Sequence, residues 1–183
     1  MAYQISKQHR LPGYDYTQEG AYFITICTKN KVCAFGQVVH GEMKLSPVGE
    51  MAKQFWSELP MKWKNVILDQ SVIMPDHMHG IIILNSQDLG GDLSGTLSGN
   101  APRRVPTETQ PPTGIQPLIK NSISSIVNHF KGNVKRWCNK NGFGHFEWQS
   151  RFHDRIIRDA KEFFCIQEYI RNNPAKWSRN KAV

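Results

Sequence analysis

Two apolar runs, "NVILDQSVIM" (65 to 74) and "HMHGIIIL" (77 to 84), are separated only by Pro75 and Asp76. A break this short leaves room for little but a tight reversal, so the runs are expected to pair as antiparallel neighbours in one sheet. Along a strand, residues i and i+2 point to the same face. His77 and His79 therefore project together, while Met78 turns the other way into the core. Asp76, beside the pair, is expected to face away from both histidines.

The rest of the chain supplies partners for that strand pair. "AYFITICT" (21 to 28) is apolar on both faces, as in a central strand. "GQVVHGEMKLS" reads as a hairpin, and Ser46-Pro47 as an N-cap followed by a proline in the first helical position. Val48, Met51, Ala52, Phe55, Trp56 and Leu59 then fall at helical spacing up to a stop before Pro60. A second amphipathic helix carries Ile123, Ile126, Val127, Phe130, Val134, Trp137 and Cys138, with Lys120, Lys131, Lys135 and Arg136 on or beside it. "EWQSRFHDRIIRD" (147 to 159) reads as another strand. Asp159, with Glu162 three residues on, starts a last helix that is expected to end at Pro174. Between them, residues 85 to 116 are rich in glycine, serine, threonine and proline and read as a long flexible loop. The resulting order predicts an α+β fold of ferredoxin-like (RRM-like) type, an antiparallel sheet with helices packed mainly on one face. At 183 residues the chain suits one domain, 1 to 183, with decorations.

Charge narrows the class of partner. The chain has 23 lysines and arginines against 15 acidic residues, a formal charge of +8, which favours a polyanion, with nucleic acid ahead of an anionic membrane. No run approaches the roughly 20 apolar residues of a membrane span, and the first residues hold no apolar stretch like a signal peptide. A cytoplasmic, nucleoid-associated protein is expected, with no membrane partner. Cys27, Cys33, Cys138 and Cys165 form no C-x-x-C pair, so free thiols are expected rather than a zinc or redox motif.

Chemistry concentrates in two places. Two imidazoles at about 6 to 7 Å spacing on one strand face can share a metal ion. The plainer alternative is two histidines on a half-exposed sheet face. In "CIQEYIRNNPAKW", Tyr169 and Asn173 lie four residues apart on the last helix, hence on one face. Tyr169 is a candidate nucleophile and Asn173 a candidate oxygen-donating ligand; the alternative is that Tyr169 anchors the helix in the core and the asparagines merely end it. Arg151, Arg155 and Arg158 near the penultimate strand, with Lys131, Lys135 and Arg136 on the second helix, are candidates for phosphate contacts, each also readable as an ordinary solvated charge.

Taken in order, "RLPGYDYTQEGAYFITICTKNKVCAFG", "IMPDHMHGIIIL", "WQSRFHDRIIRD" and "EYIRNNPAKW" closely resemble the single-tyrosine transposases of the His-hydrophobic-His superfamily, in the branch associated with repetitive extragenic palindromes. The resemblance covers nearly the whole chain apart from residues 85 to 116 and the last few. It implies that His77 and His79 bind a divalent ion, magnesium or manganese, that Tyr169 is the nucleophile, and that Asn173 supplies a further ligand, a position that varies in the family. It implies single-stranded DNA with a hairpin as partner, recognised with help from the segment Arg10 to Tyr16. The implied reaction is cleavage by transesterification through a 5′-phosphotyrosine link, with a free 3′-hydroxyl and later rejoining. A hairpin-binding protein of the same fold without catalysis, and a metallohydrolase that activates water, are the competing readings. The oligomeric state is open, with a monomer favoured over a homodimer.

Overall fold

The computed structural model describes residues 14–85, 119 and 121–177. Arg10 lies outside them, as does the expected loop beyond residue 85.

The expected strand pair forms as β4 (Val66–Ile73) and β5 (His77–Leu84), antiparallel, with Ile73 opposite Met78 and Leu68 opposite Ile82. β1 (Gly20–Cys27) lies on the other side of β5 and places Cys27 opposite His77 and Thr25 opposite His79. β6 (His153–Ile157) pairs antiparallel with β1 and forms the far edge, so the sheet order is β4-β5-β1-β6. This is the ferredoxin-like order. A separate hairpin, β2 (Gly36–Val39) and β3 (Glu42–Leu45), follows β1.

Alternation assigns the two faces. Tyr22, Ile24 and Ile26 of β1 and Met78 and Ile82 of β5 are buried in one cluster with Val48, Ala52 and Trp56 of α1 (Pro47–Ser57) and Ile126, Phe130 and Val134 of α3 (Ile123–Lys140). This face holds the principal core. Phe23 and Ile81 point the other way and meet Ile166 and Ile170 of α4 (Ala160–Arg171). The helices of the main core thus share one face, and the last long helix covers the face that carries the histidine pair.

Local chemistry explains where the helices begin. Ser46 Oγ accepts from Gly49 N at 3.2 Å and Asp159 Oδ1 accepts from Glu162 N at 2.7 Å, each satisfying an orphan donor of the first turn. Both caps are those the sequence indicates. Gly80 admits Trp56 onto β5, since a Cβ there would fall 2.4 Å from Trp56 Cζ2. None of the four cysteines is in a disulfide.

Three boundaries differ from expectation. The first helix does stop before Pro60, but already at Ser57, and Leu59 and Pro60 open a short second one, α2 (Leu59–Lys62), where the missing N–H of Pro60 is harmless. The strand expected over 147 to 159 is confined to β6; upstream of it only Trp148 makes a bridge, to Thr28. The last helix stops at Arg171 with Asn172 as its C-cap, and Pro174 lies inside a further short helix, α5 (Asn173–Trp177).

Candidate active site

The face shared by β5, β1 and α4 brings His77, His79 and Tyr169 together. Thr25 stands opposite His79 across the β1–β5 pairing, and its hydroxyl is hydrogen-bonded to His79 Nδ1 at 2.8 Å. Phe23 stacks on the His79 ring, with centroids 5.2 Å apart and planes at 26°. The His77 and His79 rings are 4.7 Å apart between centroids. These contacts hold both imidazoles on one side of the sheet.

His77 is anchored by a residue that strand alternation misassigns. Asp76 was expected to face away, but β5 begins only at His77, and in the turn before it the Asp76 carboxylate accepts from His77 Nδ1 at 2.5 Å. Asp76 is only 7% exposed. Both histidines therefore have Nδ1 engaged, which leaves both Nε2 atoms for another partner.

α4 supplies that partner. The Tyr169 hydroxyl lies 3.4 Å from His79 Nε2, and the two rings are 5.2 Å apart. The helix is held in place by Gln167, whose Nε2 donates to Asp69 Oδ1 at 2.7 Å; Asp69 lies in the irregular stretch of β4 between Leu68 and Ser71. At the other end, Arg155 Nε donates to Glu162 Oε1 at 2.6 Å and the Arg158 backbone N–H to Glu162 Oε2 at 2.9 Å, tying β6 to the first turn. α5 then folds back over the site. Trp177 lies 5.7 Å from the His77 ring, and Lys176 Nζ stands 5.8 Å above the Tyr169 ring.

Asn173 is 8% exposed and starts α5, so the continuous-helix argument that put it on one face with Tyr169 does not hold; its place follows from the break at Asn172. The electrostatics suit ligands rather than charged groups. Burial lowers the pKa of His77, with the hydrogen bond to Asp76 acting against it. Burial, reinforced by the neighbouring His77, lowers that of His79 much further. Both imidazoles are neutral at pH 7, the form that donates a lone pair to a metal.

The basic candidates divide. Lys131 is buried, and its ammonium donates to the carbonyls of Gln149 at 2.6 Å and Ser150 at 3.3 Å, so it fastens the segment before β6 instead of facing a phosphate. Lys135 is spent similarly on Gly144 O at 2.9 Å and Phe146 O at 2.6 Å. Arg155 is committed to Glu162. Arg136, Arg151 and Arg158 are exposed. Asp76, Thr25, Lys176 and Trp177 were not singled out by sequence reasoning as parts of the site. Thr25 needed only the register of β1 against β5, whereas the others depend on turn and helix-end geometry.

No protein-family model matches the chain. A protein of Haemophilus influenzae described only as uncharacterized is 40% identical over 172 residues, covering 94% of this chain and 89% of that one. This chain belongs to the same family. Among solved structures, the REP-associated tyrosine transposase bound to a REP hairpin superposes with a TM-score of 0.58 at 20% identity, over 94% of this chain and 74% of that one. The chain has the REP-associated tyrosine transposase fold. A candidate transposase of Deinococcus radiodurans gives a TM-score of 0.45 at 15% identity, over 90% of this chain and 97% of that one. In this chain the face opposite the main helical core holds His77, His79 and Tyr169. No helix among the described residues is long and apolar enough to cross a membrane.

Proposed function

We propose that the chain is a DNA transposase that cuts and rejoins single-stranded DNA through Tyr169, on a substrate containing a hairpin. The observation that carries this reading is the convergence of a phenol on two oriented, neutral imidazoles on one sheet face. The similarity of the whole fold to a transposase bound to a REP hairpin supports the class of substrate.

The donor set fits a divalent ion. Two imidazoles with Nδ1 held by Asp76 and Thr25 present Nε2 as ligand atoms. Among the described residues no third histidine, cysteine or carboxylate joins them in a cluster; the family resemblance assigns the further donor to the amide of Asn173, and a mixed nitrogen and oxygen set suits manganese or magnesium. When bound, such an ion polarises the scissile phosphate and stabilises the charge on the departing oxygen. His77 and His79 would hold it through Nε2.

Tyr169 Oη attacks phosphorus, the P–O3′ bond breaks, and the products are a 5′-phosphotyrosine and a 3′-hydroxyl. The phenol loses its proton to solvent as the bond forms, and the 3′-oxygen gains one. The phosphodiester bond energy is retained in the tyrosyl ester, so the reverse attack by a 3′-hydroxyl reseals the strand. Packing of the Tyr169 ring edge-on against Phe23, at 6.1 Å, limits the directions from which the phenol can approach. Arg136, Arg151 and Arg158 remain as phosphate contacts, and an N-terminal contribution around Arg10 belongs to the same proposal.

The test is strand cleavage with manganese or magnesium on labelled hairpin oligonucleotides taken from the DNA flanking the gene. Chelator-sensitive cleavage of the single strand, leaving a 3′-hydroxyl, supports the reading. Binding without cleavage across several flanking sequences and both ions favours the non-catalytic binder, and cleavage surviving Tyr169→Phe favours the hydrolase.

A further inference from the structure

α5 is set over the catalytic face by parts of the chain far apart in sequence. The break at Asn172 turns it back from α4, and Asn173 is its buried residue. On another side it meets the turn of the β2–β3 hairpin. His40 and Gly41 are both left-handed there, at φ 51° and 82°, as a two-residue hairpin turn requires. A Cβ on Gly41 would lie 3.7 Å from Ala175 Cα, so the turn rests against the helix. The next residue, Lys176, is exposed, and its Nζ stands over the Tyr169 ring at 5.8 Å from the centroid.

The basic side chains around α4 are not equally committed. Arg155 is paired with Glu162 and Arg171 with Glu168. Among the described residues no carboxylate pairs with Lys176, whose ammonium faces a neutral phenol ring. A lysine in the last turn of a surface helix is ordinarily a solvated charge. This one stands over the ring whose oxygen forms the new bond, in a cation–π contact that holds a long, flexible side chain near the reacting atoms without neutralising it.

The reaction has a use for such a charge. Attack on a phosphodiester places negative charge on the non-bridging oxygens of phosphorus, and a cation fixed beside them lowers the barrier. His79 meets the phenol at its oxygen and Lys176 meets it over the ring, so a phosphate seated at Tyr169 Oη is approached from two different sides. We propose that Lys176 is a further catalytic residue, whose ammonium moves from the Tyr169 ring onto a non-bridging oxygen of the scissile phosphate and stays there through the transfer. The proposal rests on the DNA-cleaving reading above. Lys176 keeps its protons throughout: the P–Oη bond forms, the P–O3′ bond breaks, and the phenol proton goes to solvent.

The test follows tyrosyl adduct formation in a single turnover, with the full chain, manganese and a labelled hairpin strand. Lys176→Gln, checked for an unchanged melting transition, is expected to react about a hundredfold more slowly, the loss typical of removing one charge-stabilising group. Its affinity for the uncut hairpin is expected to change little. Lys176→Arg, which keeps the charge, is expected to recover most of the rate. A second strand carries an uncharged methylphosphonate at the cleaved position, which removes the oxygen charge that Lys176 meets. On that strand Lys176→Gln is expected to react as fast as the unaltered protein, a difference that a merely structural lysine would not produce. An unaltered rate in Lys176→Gln, an arginine variant as slow as the glutamine one, or equal losses on both strands overturns the role of Lys176 and leaves the Tyr169 reaction standing. Absence of any adduct in the unaltered protein overturns the cleavage reading as well.

Discussion

Tyr169 Oη lies 3.4 Å from His79 Nε2, across the interface between the last long helix and the central strand. The phenol meets the one nitrogen of His79 that Thr25 leaves unoccupied. An ion bound at that nitrogen would displace the phenol from it. Titration with magnesium is therefore expected to shift the Tyr169 ring resonances, with the change abolished in His79→Gln. A Tyr169 environment indifferent to the ion would contradict the placement.

Asp76 fixes His77 in the tautomer with Nε2 free, and it adds a negative charge beside the donors. Asp76→Asn is expected to weaken manganese binding by about ten- to a hundredfold, the usual effect of removing such an outer partner, with a smaller effect on folding. Calorimetric titration of the metal in the absence of DNA checks this. Unchanged affinity would show that His77 is oriented by other means.

The buried histidines set an acid limit on stability. Their folded pKa values lie below the ordinary 6.5, so as pH falls through 6.5 the unfolded chain takes up protons that the folded chain refuses. Stability is therefore expected to be full above about pH 7 and to decline as the pH drops below 6.5 toward the folded values. Urea midpoints at pH 7.5 and 5.5 measure it, and His79→Gln should flatten the slope. A midpoint that rises on acidification would refute the assignment of neutral histidines.

Lys131 distinguishes a structural cation from a phosphate contact. Because its ammonium holds two carbonyls of the segment before β6, Lys131→Met is expected to destabilise the fold by about 1 to 3 kcal/mol, the range for leaving buried polar groups unpaired. Its effect on the salt dependence of DNA binding should be small, whereas Arg151→Ala should reduce that dependence. The reverse pattern would restore Lys131 as a DNA contact.

Gly80 tests the packing of β5 apart from chemistry. Gly80→Ala drives a methyl against the Trp56 ring in the principal core, and a loss of about 1 to 3 kcal/mol is expected from overpacking. Thermal denaturation reports it directly, and a neutral result would mean that Trp56 has another place to go.

Most of the frame was legible because local signals agreed with tertiary demand. The alternation around Met78, the cap at Ser46 and the cap at Asp159 each follow from a few neighbouring residues and are found as expected. The strand pair flanking Pro75 and Asp76 follows from the same kind of reasoning. What escaped depends on contacts distant in sequence or on how a turn ends. Asp76 belongs to the turn and not to the strand, so the alternation rule gave it the wrong direction. Lys131 sits on a helix face that only the returning chain at Gln149 and Ser150 turns into an interior. Asn173 begins a new helix because the chain breaks at Asn172, before the proline that was expected to mark the end.

The most direct test of the central claim is to denature the protein after reaction with manganese and a 5′-flanked hairpin strand, digest it, and locate the covalently attached nucleotide by mass spectrometry. The account predicts a nucleotide linked through its 5′-phosphate to Tyr169, absent in Tyr169→Phe and after chelation. Attachment to another residue, or metal-dependent cleavage with no protein-linked nucleotide, would contradict it.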